Sequence, residues 1–161
     1  MSTPSNLSNL ALPQNGKTHL VSSQNRQAPR GLAARMMVTG PGKMVVIDPG
    51  ETFILADVKG AGKIVRIWMT SMTLPGNRYN VNYYGLLRFY WDGEAQPSVE
   101  APFGAFFGVP WGKYTHYIAE PLSCTSGGYN CQFPMPYSQG FRIEVVNQSP
   151  VPWPDLFYQI Q

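Results

Sequence analysis

Turn-forming residues divide this chain, from residue 43 onward, into about eight short apolar or alternating segments. The connections are rich in glycine and proline, which interrupt helices and favour turns, and the chain holds 16 glycines and 15 prolines without a repeat period. Short segments at this spacing are typical of folds made of two antiparallel sheets. We therefore predict an all-β protein, a single β-sandwich or jelly roll, from 161 residues.

The segment "IVRIWMTSMT" (64–73) shows the two-residue period most clearly. Ile67 and Met69 lie on one face, and Trp68 lies on the other, because successive side chains of a strand point to opposite sides. "LLRFYW" (86–91) alternates in the same way, and the Asp-Gly pair that follows it is a hairpin signal. We expect two strands here, with Trp68 and Trp91 packed in the core or between the sheets.

The first 30 residues differ in composition from the remainder. They are rich in Ser, Asn, Gln and Pro without periodicity, so we predict a flexible, disordered or extended arm at 1–30 and a jelly-roll domain at 31–161. Residues 1–43 carry a charge of +5, and the seven basic and nine acidic residues that follow give −2; the basic residues of the first part are Lys17, Arg26, Arg30, Arg35 and Lys43. Because five charges over this length are sparse, a solvated arm is favoured over nucleic-acid binding.

The sequence contains no apolar run long enough to cross a membrane. Its N-terminus, "MSTPSNLSNLALPQNGKTHL", lacks the basic and apolar regions of a secretion signal, which makes a cytoplasmic location the default expectation. The two cysteines, Cys124 and Cys131, flank "TSGGYN", so a local disulfide is sterically conceivable. Buried free thiols are favoured, because disulfides belong mainly to exported proteins.

Five sequence blocks occur in a fixed order: "PGETFILADVKGAGKIVRIWMT", "LRFYWDGEAQPSVEAPFGAFFG", "SGGYNCQFPMPY", "FRIEVVNQ" and "FYQI". In these blocks, from about residue 48 to residue 161, the chain resembles the N-terminal part of glycoside hydrolase family 172, also known as domain of unknown function 2961. The resemblance implies a jelly roll, usually one of two in tandem, and assembly as trimers or multiples of trimers. It also implies a shape akin to double jelly-roll capsid proteins, and a retaining mechanism with two glutamates acting on fructofuranosides or arabinofuranosides.

Two features of the family pattern are missing. The "SYDRTGGN"-like stretch before the first strands is replaced by "RGLAARMMVTGPGK" (30–43). The catalytic glutamates of the family lie in the second jelly roll, near a "GTGTEDYF"-like motif that this sequence lacks. We therefore expect the chain to be non-catalytic on its own, with a second-half protein chain as a candidate partner.

Three carboxylates, Asp92, Glu94 and Glu100, lie in the aromatic-rich passage 86–108. A retaining glycosidase needs two carboxyl groups roughly 5–5.5 Å apart, and Glu94 and Glu100 are weak candidates because they could face each other across a hairpin. Asp92 is explained by its turn, whereas Glu100 could bind sugar hydroxyls or accept backbone N–H groups at a strand end. A structural role is favoured for all three, and Asp92 and Glu100 remain candidates for substrate contact.

Trp111 and Asn130 complete the candidate substrate-binding residues. Trp111 lies between a proline and a glycine in a predicted loop, where an indole can stack on a sugar. Asn130 lies beside the Gly-rich turn and could close that turn or reach a ligand. His116 has no second histidine nearby and no Cys or His spacing fits a metal site, so no metal is expected. "GPG" and "GAG" have no helix after them, so no phosphate-bearing cofactor is predicted either.

Two classes of function compete on these observations. One is a carbohydrate-active module related to the family 172 hydrolases, with a carbohydrate ligand, and a purely sugar-binding domain is a weaker variant of it. The other is a self-assembling structural protein, a capsid-like shell, tube or filament, because an unpaired jelly roll with a basic arm resembles capsid subunits. A chain with 13% charged and 13% aromatic residues suits large protein contacts, so we expect a homo-oligomer.

Overall fold

The computed structural model describes residues 16–24, 45–71, 80–154 and 156–161. Within these residues twelve strands and two single helical turns follow one another. The strands are β1 (Val21–Ser22), β2 (Thr52–Lys59), β3 (Gly62–Ile64), β4 (Ile67–Ser71), β5 (Gly85–Trp91), β6 (Val99–Pro102), β7 (Tyr117–Ile118), β8 (Leu122–Thr125), β9 (Gly128–Cys131), β10 (Met135–Tyr137), β11 (Gly140–Asn147) and β12 (Leu156–Ile160). The helical turns are α1 (Val81–Tyr84) and α2 (Phe103–Phe106), and neither has the length to cross a bilayer.

The strands form two main antiparallel sheets and one small ribbon. The first sheet has the order β1-β12-β4-β9-β8-β7, the second has the order β2-β11-β5-β6, and β10 pairs with β3. The chain crosses between the two main sheets several times, so that β1, β4, β7, β8, β9 and β12 belong to one and β2, β5, β6 and β11 to the other. This arrangement of ten strands in two antiparallel sheets is a jelly roll, as the sequence predicts.

The core lies between the two sheets and is built by the two-residue period of their strands. From the four-stranded sheet, β5 and β11 contribute Leu87, Phe89, Ile143 and Val145, all fully buried. From the six-stranded sheet, β4 and β12 contribute Ile67, Met69, Tyr158 and Ile160, each at most 2% exposed. At one end α2 closes the sandwich with an aromatic group, in which the Phe103 ring lies 5.0 Å from those of Phe107 and Tyr129.

A β-bulge interrupts the pairing of β2 with β11. Ile143 pairs with Ala56, but the next residue, Glu144, pairs with Ile54, so Leu55 is the extra residue. Such an insertion breaks the alternation of the bulged strand. Leu55 and Ala56 are therefore both buried although they are adjacent in sequence.

Asn147 holds the end of β11 against the segments before β2 and before β12. Its side chain is fully buried, and its Nδ2 donates to the carbonyl oxygens of Ile47 and Val151, both at 2.9 Å. Its Oδ1 accepts from the backbone N–H and the hydroxyl of Ser149 at 2.9 and 2.7 Å. Every polar atom of this amide is thus paired, as a buried amide requires.

The structure contains a strand inside the range that the sequence predicts as an arm. Val21 and Ser22, inside the range predicted as an arm, pair with Ile160 and Gln159 and form β1. Val21 is 6% exposed and belongs to the core. Of residues 1–30, the structure describes only 16–24. The boundary at residue 30 therefore stays a prediction.

Substitution of Asn147 by alanine tests the role of this buried amide. Asn147→Ala leaves two buried carbonyl oxygens and the Ser149 N–H without their partner, and we expect it to lower the free energy of unfolding by about 3 kcal/mol. Urea denaturation followed by tryptophan fluorescence measures the change. The neighbouring Gln148→Ala is the control, since Gln148 is exposed and its loss should cost less than about 0.5 kcal/mol. Equal destabilisation by both variants would contradict the role assigned to Asn147.

Candidate functional site

The turn between β5 and β6 holds the first candidate carboxylate, Asp92. Asp92 and Gly93 have φ angles of 52° and 85°, the left-handed conformation that an Asp-Gly pair adopts readily in a hairpin. The carboxylate reaches across to the connection between β10 and β11. It accepts hydrogen bonds from the backbone N–H groups of Ser138, Gln139 and Gly140 at 2.9, 2.6 and 3.2 Å, and from the Ser138 hydroxyl at 2.8 Å.

These four hydrogen bonds define the chemical state of Asp92. Together they stabilise the ionised form and hold the pKa of the carboxyl below its usual 3.8. The hydrogen bond from the Gln139 N–H has the largest effect on this pKa, and the bond from the Ser138 hydroxyl has the next largest. A carboxylate with this pKa, whose oxygens are occupied by structural donors, is poorly suited to act as a general acid. Asp92 is therefore a clamp between two connections at the same end of the four-stranded sheet.

Glu94 and Glu100 are also engaged, and with different partners. Glu94 Oε2 accepts from the Ser98 hydroxyl at 2.5 Å and from the Trp91 N–H at 3.3 Å, so it closes the loop that Asp92 begins. Glu100, on β6, accepts from Arg88 Nε of β5 at 2.7 Å. Arg88 and Glu100 are directly opposite in the register of the two strands, as expected for a stabilising cross-strand pair.

Arg88 belongs to a row of charges on the outward face of the four-stranded sheet. Opposite Arg88 on its other side lies Glu144 of β11, whose side chain is only 10% exposed. Arg142 Nε lies 2.8 Å from Glu144 Oε1, an ion pair without the alignment of a hydrogen bond. The Arg142 guanidinium also lies over the Tyr90 ring, 4.2 Å from its centroid, a cation–π contact. Each acid in this row therefore has a cation next to it.

A cavity of about 240 Å³ opens at the end of this charged face. Its walls include both Asp92 and Glu94, together with Asp57, Lys59, Tyr90 and Arg142. The structure therefore brings two of the three predicted carboxylates to one cavity, whereas Glu100 is not part of its wall. The Tyr90 ring is covered by Arg142, so the cavity offers charges and amides but little free aromatic surface.

Trp111 lies far out on the surface, with 82% of it exposed. Its neighbour Gly112 packs against the ring of Tyr83 so closely that a Cβ at position 112 would come within 1.8 Å of that ring. Tyr83 is itself 58% exposed. The loop that follows α2 thus packs on Tyr83 through Gly112, the residue after the exposed Trp111, and we call Trp111 and Tyr83 the aromatic loop patch.

The remaining predicted substrate-binding residue, Asn130, lies on β9 and not in a turn. Its Oδ1 accepts from Arg66 Nη2 at 3.1 Å, and it pairs with Trp68 of β4 in the register of the two strands. Ile67 and Met69 are buried on the inward side of β4, so Trp68 and Asn130 share the outward face of the six-stranded sheet. The expectation that Trp68 packs in the core is wrong, because the strand period that buries its neighbours turns it outward. Trp91, in contrast, packs against the core.

The thiols and His116 offer little chemistry. Cys124 and Cys131 are free and fully buried, and burial raises the pKa of Cys124 to about 11, which keeps it protonated at neutral pH. His116 is exposed. In the part of the chain that the structure describes, no three His, Cys, Asp or Glu side chains are grouped so that they could hold a metal ion.

The two antiparallel sheets, packed on a shared core, define a β-sandwich domain. A family model, the first β-sandwich domain of glycoside hydrolase family 172, matches residues 14–161. The chain therefore belongs to this family and contains its first β-sandwich domain, as the five sequence blocks indicate. The matched range includes β1. A comparison with curated proteins gave no match.

The pH dependence of stability tests the clamp formed by Asp92. We expect Asp92→Ala to lower the midpoint of thermal unfolding at neutral pH, because four donors lose their acceptor. Since the folded-state pKa is lowered from 3.8, the contribution of the carboxylate is complete above that pH and is lost as the pH falls through the lower folded value. The difference in midpoint between the wild type and the variant should therefore be constant at higher pH and shrink below 3.8.

Asp48→Ala is the matched control, since it removes one negative charge from another exposed turn. It should change the midpoint little at any pH. An Asp92→Ala protein as stable as the wild type at neutral pH, or a difference that grows on acidification, would show that Asp92 is not the clamp described.

Proposed function

We propose that this chain is a non-catalytic module of a furanoside-active glycoside hydrolase, in which another domain supplies the catalytic glutamates. The observation that carries the proposal is the engagement of all three candidate carboxylates by structural partners. Asp92 accepts four hydrogen bonds, Glu94 closes its own loop, and Glu100 is paired with Arg88. A retaining mechanism instead needs one free nucleophilic carboxylate and one carboxylic acid, facing each other across the sugar.

The geometry of the hairpin supports the same interpretation. Glu94 lies in the β5–β6 connection and Glu100 lies within β6, opposite Arg88. Glu94 faces the cavity and Glu100 does not, so a sugar in the cavity would meet Glu94 without Glu100. The cavity pairs Glu94 with Asp92, whose lowered pKa keeps it ionised. Because Asp92 stays ionised, it cannot supply the proton that the leaving group needs.

Enzyme assays with aryl fructofuranosides and aryl arabinofuranosides test this proposal. We expect no turnover by the chain alone and turnover when a second β-sandwich domain of the family is added, with the first domain raising the activity of the second. Turnover by this chain alone that is lost in Glu94→Gln or Glu100→Gln would overturn the proposal. So would a second domain whose activity is indifferent to this chain.

A second candidate function, self-assembly, is favoured by the aromatic loop patch. Trp111 at 82% and Tyr83 at 58% exposure expose apolar surface of the kind that protein interfaces cover, and Trp and Tyr are the residues enriched there. We propose that the chain forms a homo-oligomer through this patch, a trimer or multiple of trimers as in its family or a capsid-like shell, tube or filament.

Sedimentation velocity over a wide concentration range tests the assembly. We expect an oligomer for the wild type and a dissociation constant raised by at least about tenfold in Trp111→Ser, because a central aromatic anchor is worth 2 kcal/mol or more. Phe133→Ser is the control, since Phe133 is 48% exposed but lies in a different connection, between β9 and β10. A wild type that remains monomeric at every concentration, or equal loss of assembly in both variants, would contradict a role for the patch.

A further inference from the structure

The outward face of the six-stranded sheet carries a row of four side chains that neither proposed function uses. Gln159 of β12 is opposite Trp68 of β4, Trp68 is opposite Asn130 of β9, and Asn130 is opposite Ser123 of β8. Residues that are directly opposite in antiparallel strands point to the same side of the sheet. With strands about 4.8 Å apart, the row is about 15 Å long. We call it the Trp68 row.

Trp68 lies against the sheet and does not stand away from it. Gly128, on β9, makes this possible, because a Cβ at position 128 would come within 2.5 Å of Trp68 Nε1. The indole therefore packs on the backbone at Gly128 and remains partly exposed. The Trp68 Nε1–H has no acceptor among the described residues, and its nitrogen is not fully buried. An indole in this position offers a ring face and one free donor to a ligand.

Polar groups are held on both sides of the indole. Arg66 fixes the Asn130 side chain through its Oδ1, which leaves the amide nitrogen of Asn130 as a donor without a partner among the described residues. Thr70, two residues beyond Trp68 on the same face, donates its hydroxyl to the Gly127 carbonyl at 2.8 Å and fixes the turn beside Gly128. Gln159 is exposed on the other side of the indole and adds an amide with both donors and an acceptor.

The charge on this face restricts the class of ligand. The outward positions of β12, β4, β9 and β8 carry amides, hydroxyls, a glycine and two aromatic rings, and none is ionisable; these positions are Phe157, Gln159, Trp68, Thr70, Gly128, Asn130, Ser123 and Thr125. Among the described residues, Arg66, which flanks β4, is the charged group that contacts the row. A single cation gives little attraction for a nucleic acid or another polyanion, which are bound through many cations. The exposed apolar Ile118 of β7 lies at the edge of this face, opposite Ser123. The centre of the face is polar, unlike the apolar centre of a protein interface.

We propose that the Trp68 row binds a neutral carbohydrate chain. A sugar ring has apolar C–H groups on its faces, which pack on the Trp68 indole, and hydroxyl groups around its edge, which need both donors and acceptors. Asn130, Gln159 and the Trp68 Nε1–H supply these groups on either side of the ring, and Arg66 positions the Asn130 amide. The inference goes beyond the proposed function, because this binding needs neither a catalytic pair nor a second chain.

Affinity electrophoresis of the full chain in gels that contain a soluble polysaccharide tests the inference. The probes are inulin and linear arabinan, which are furanose polymers, a neutral mannan, and the anionic polygalacturonate. We expect at least one neutral polymer to retard the wild type, and polygalacturonate to have no such effect. Trp68→Ala should raise the dissociation constant by at least about tenfold, the effect of losing about 1.4 kcal/mol. Gly128→Ala keeps the indole but displaces it, and it should weaken binding as well.

Thr52→Val is the control, because Thr52 is exposed on the outward side of the opposite sheet and valine suits a strand. Its binding should equal that of the wild type. Failure of every neutral polymer to retard the wild type, or equal retardation of the wild type and Trp68→Ala, would overturn the inference. A change of oligomeric state in Trp68→Ala without a change in retardation would show that a second copy of the chain covers this face instead.

The outcome is separable from that of the proposed function. Trp68→Ala should retain the activity that the chain confers on a second β-sandwich domain with small aryl furanosides, since these substrates are too short to reach along the row. Loss of polysaccharide binding with that activity intact supports the Trp68 row. Loss of both together would mean that the substitution disturbs the fold and that the row has no separate role.

Discussion

The apolar contact between the two sheets decides which side chains this protein presents on its outside. The core between the sheets contains Ile143 and Phe89 from one sheet and Ile67 and Met69 from the other. All four are fully buried. Because the side chains of a strand alternate, burying these residues forces their neighbours outward. The same constraint therefore produces the charged row of Arg88 and Glu144 on one face and the uncharged row of Trp68 and Asn130 on the other. A slip of one residue in the register of β4 would bury Trp68 and Thr70 and expose Ile67 and Met69, and the loss of core would prevent it.

The carboxylates of the β5–β6 hairpin each have a structural partner, and the proposed non-catalytic role of this domain rests on these contacts. Asp92 replaces missing backbone partners for three N–H groups at the start of β11, a task that requires an ionised acceptor. Glu100 balances Arg88, which in turn lies opposite the nearly buried Glu144. The Arg88–Glu100 pair is partly exposed, so it contributes only modestly to stability. Catalysis needs carboxyl groups that are free to exchange a proton, and under the proposed function these come from the second domain.

Much of the fold could be predicted from sequence, and the failures have physical causes. The strands β2, β5, β11 and β12 follow from alternation, and the turn at Asp92 follows from the Asp-Gly pair, since both signals are local. β1 was missed because two residues, Val21 and Ser22, are too few to show a period, and their pairing with β12 is a long-range contact. Trp68 is predicted in the core because it lies inside a strand pattern, although that same pattern turns it outward. The four hydrogen bonds of Asp92 and the support of Trp68 by Gly128 depend on residues 46 to 60 positions away, and no local pattern reports them.

The two outward faces differ in the physical interactions that they can offer, and this difference allows them to act independently. They are separated by the core, across which packed sheets are about 10 Å apart, so a ligand on one face does not contact the other. The four-stranded face presents Arg88, Arg142, Glu100 and Glu144, and any contact there responds to ionic strength because exposed charges are screened by salt. The Trp68 row acts through ring packing and neutral hydrogen bonds, which salt affects little. A partner domain that docks on the charged face and a glycan that lies on the uncharged face would therefore bind without competing, and only the first would weaken as salt is raised.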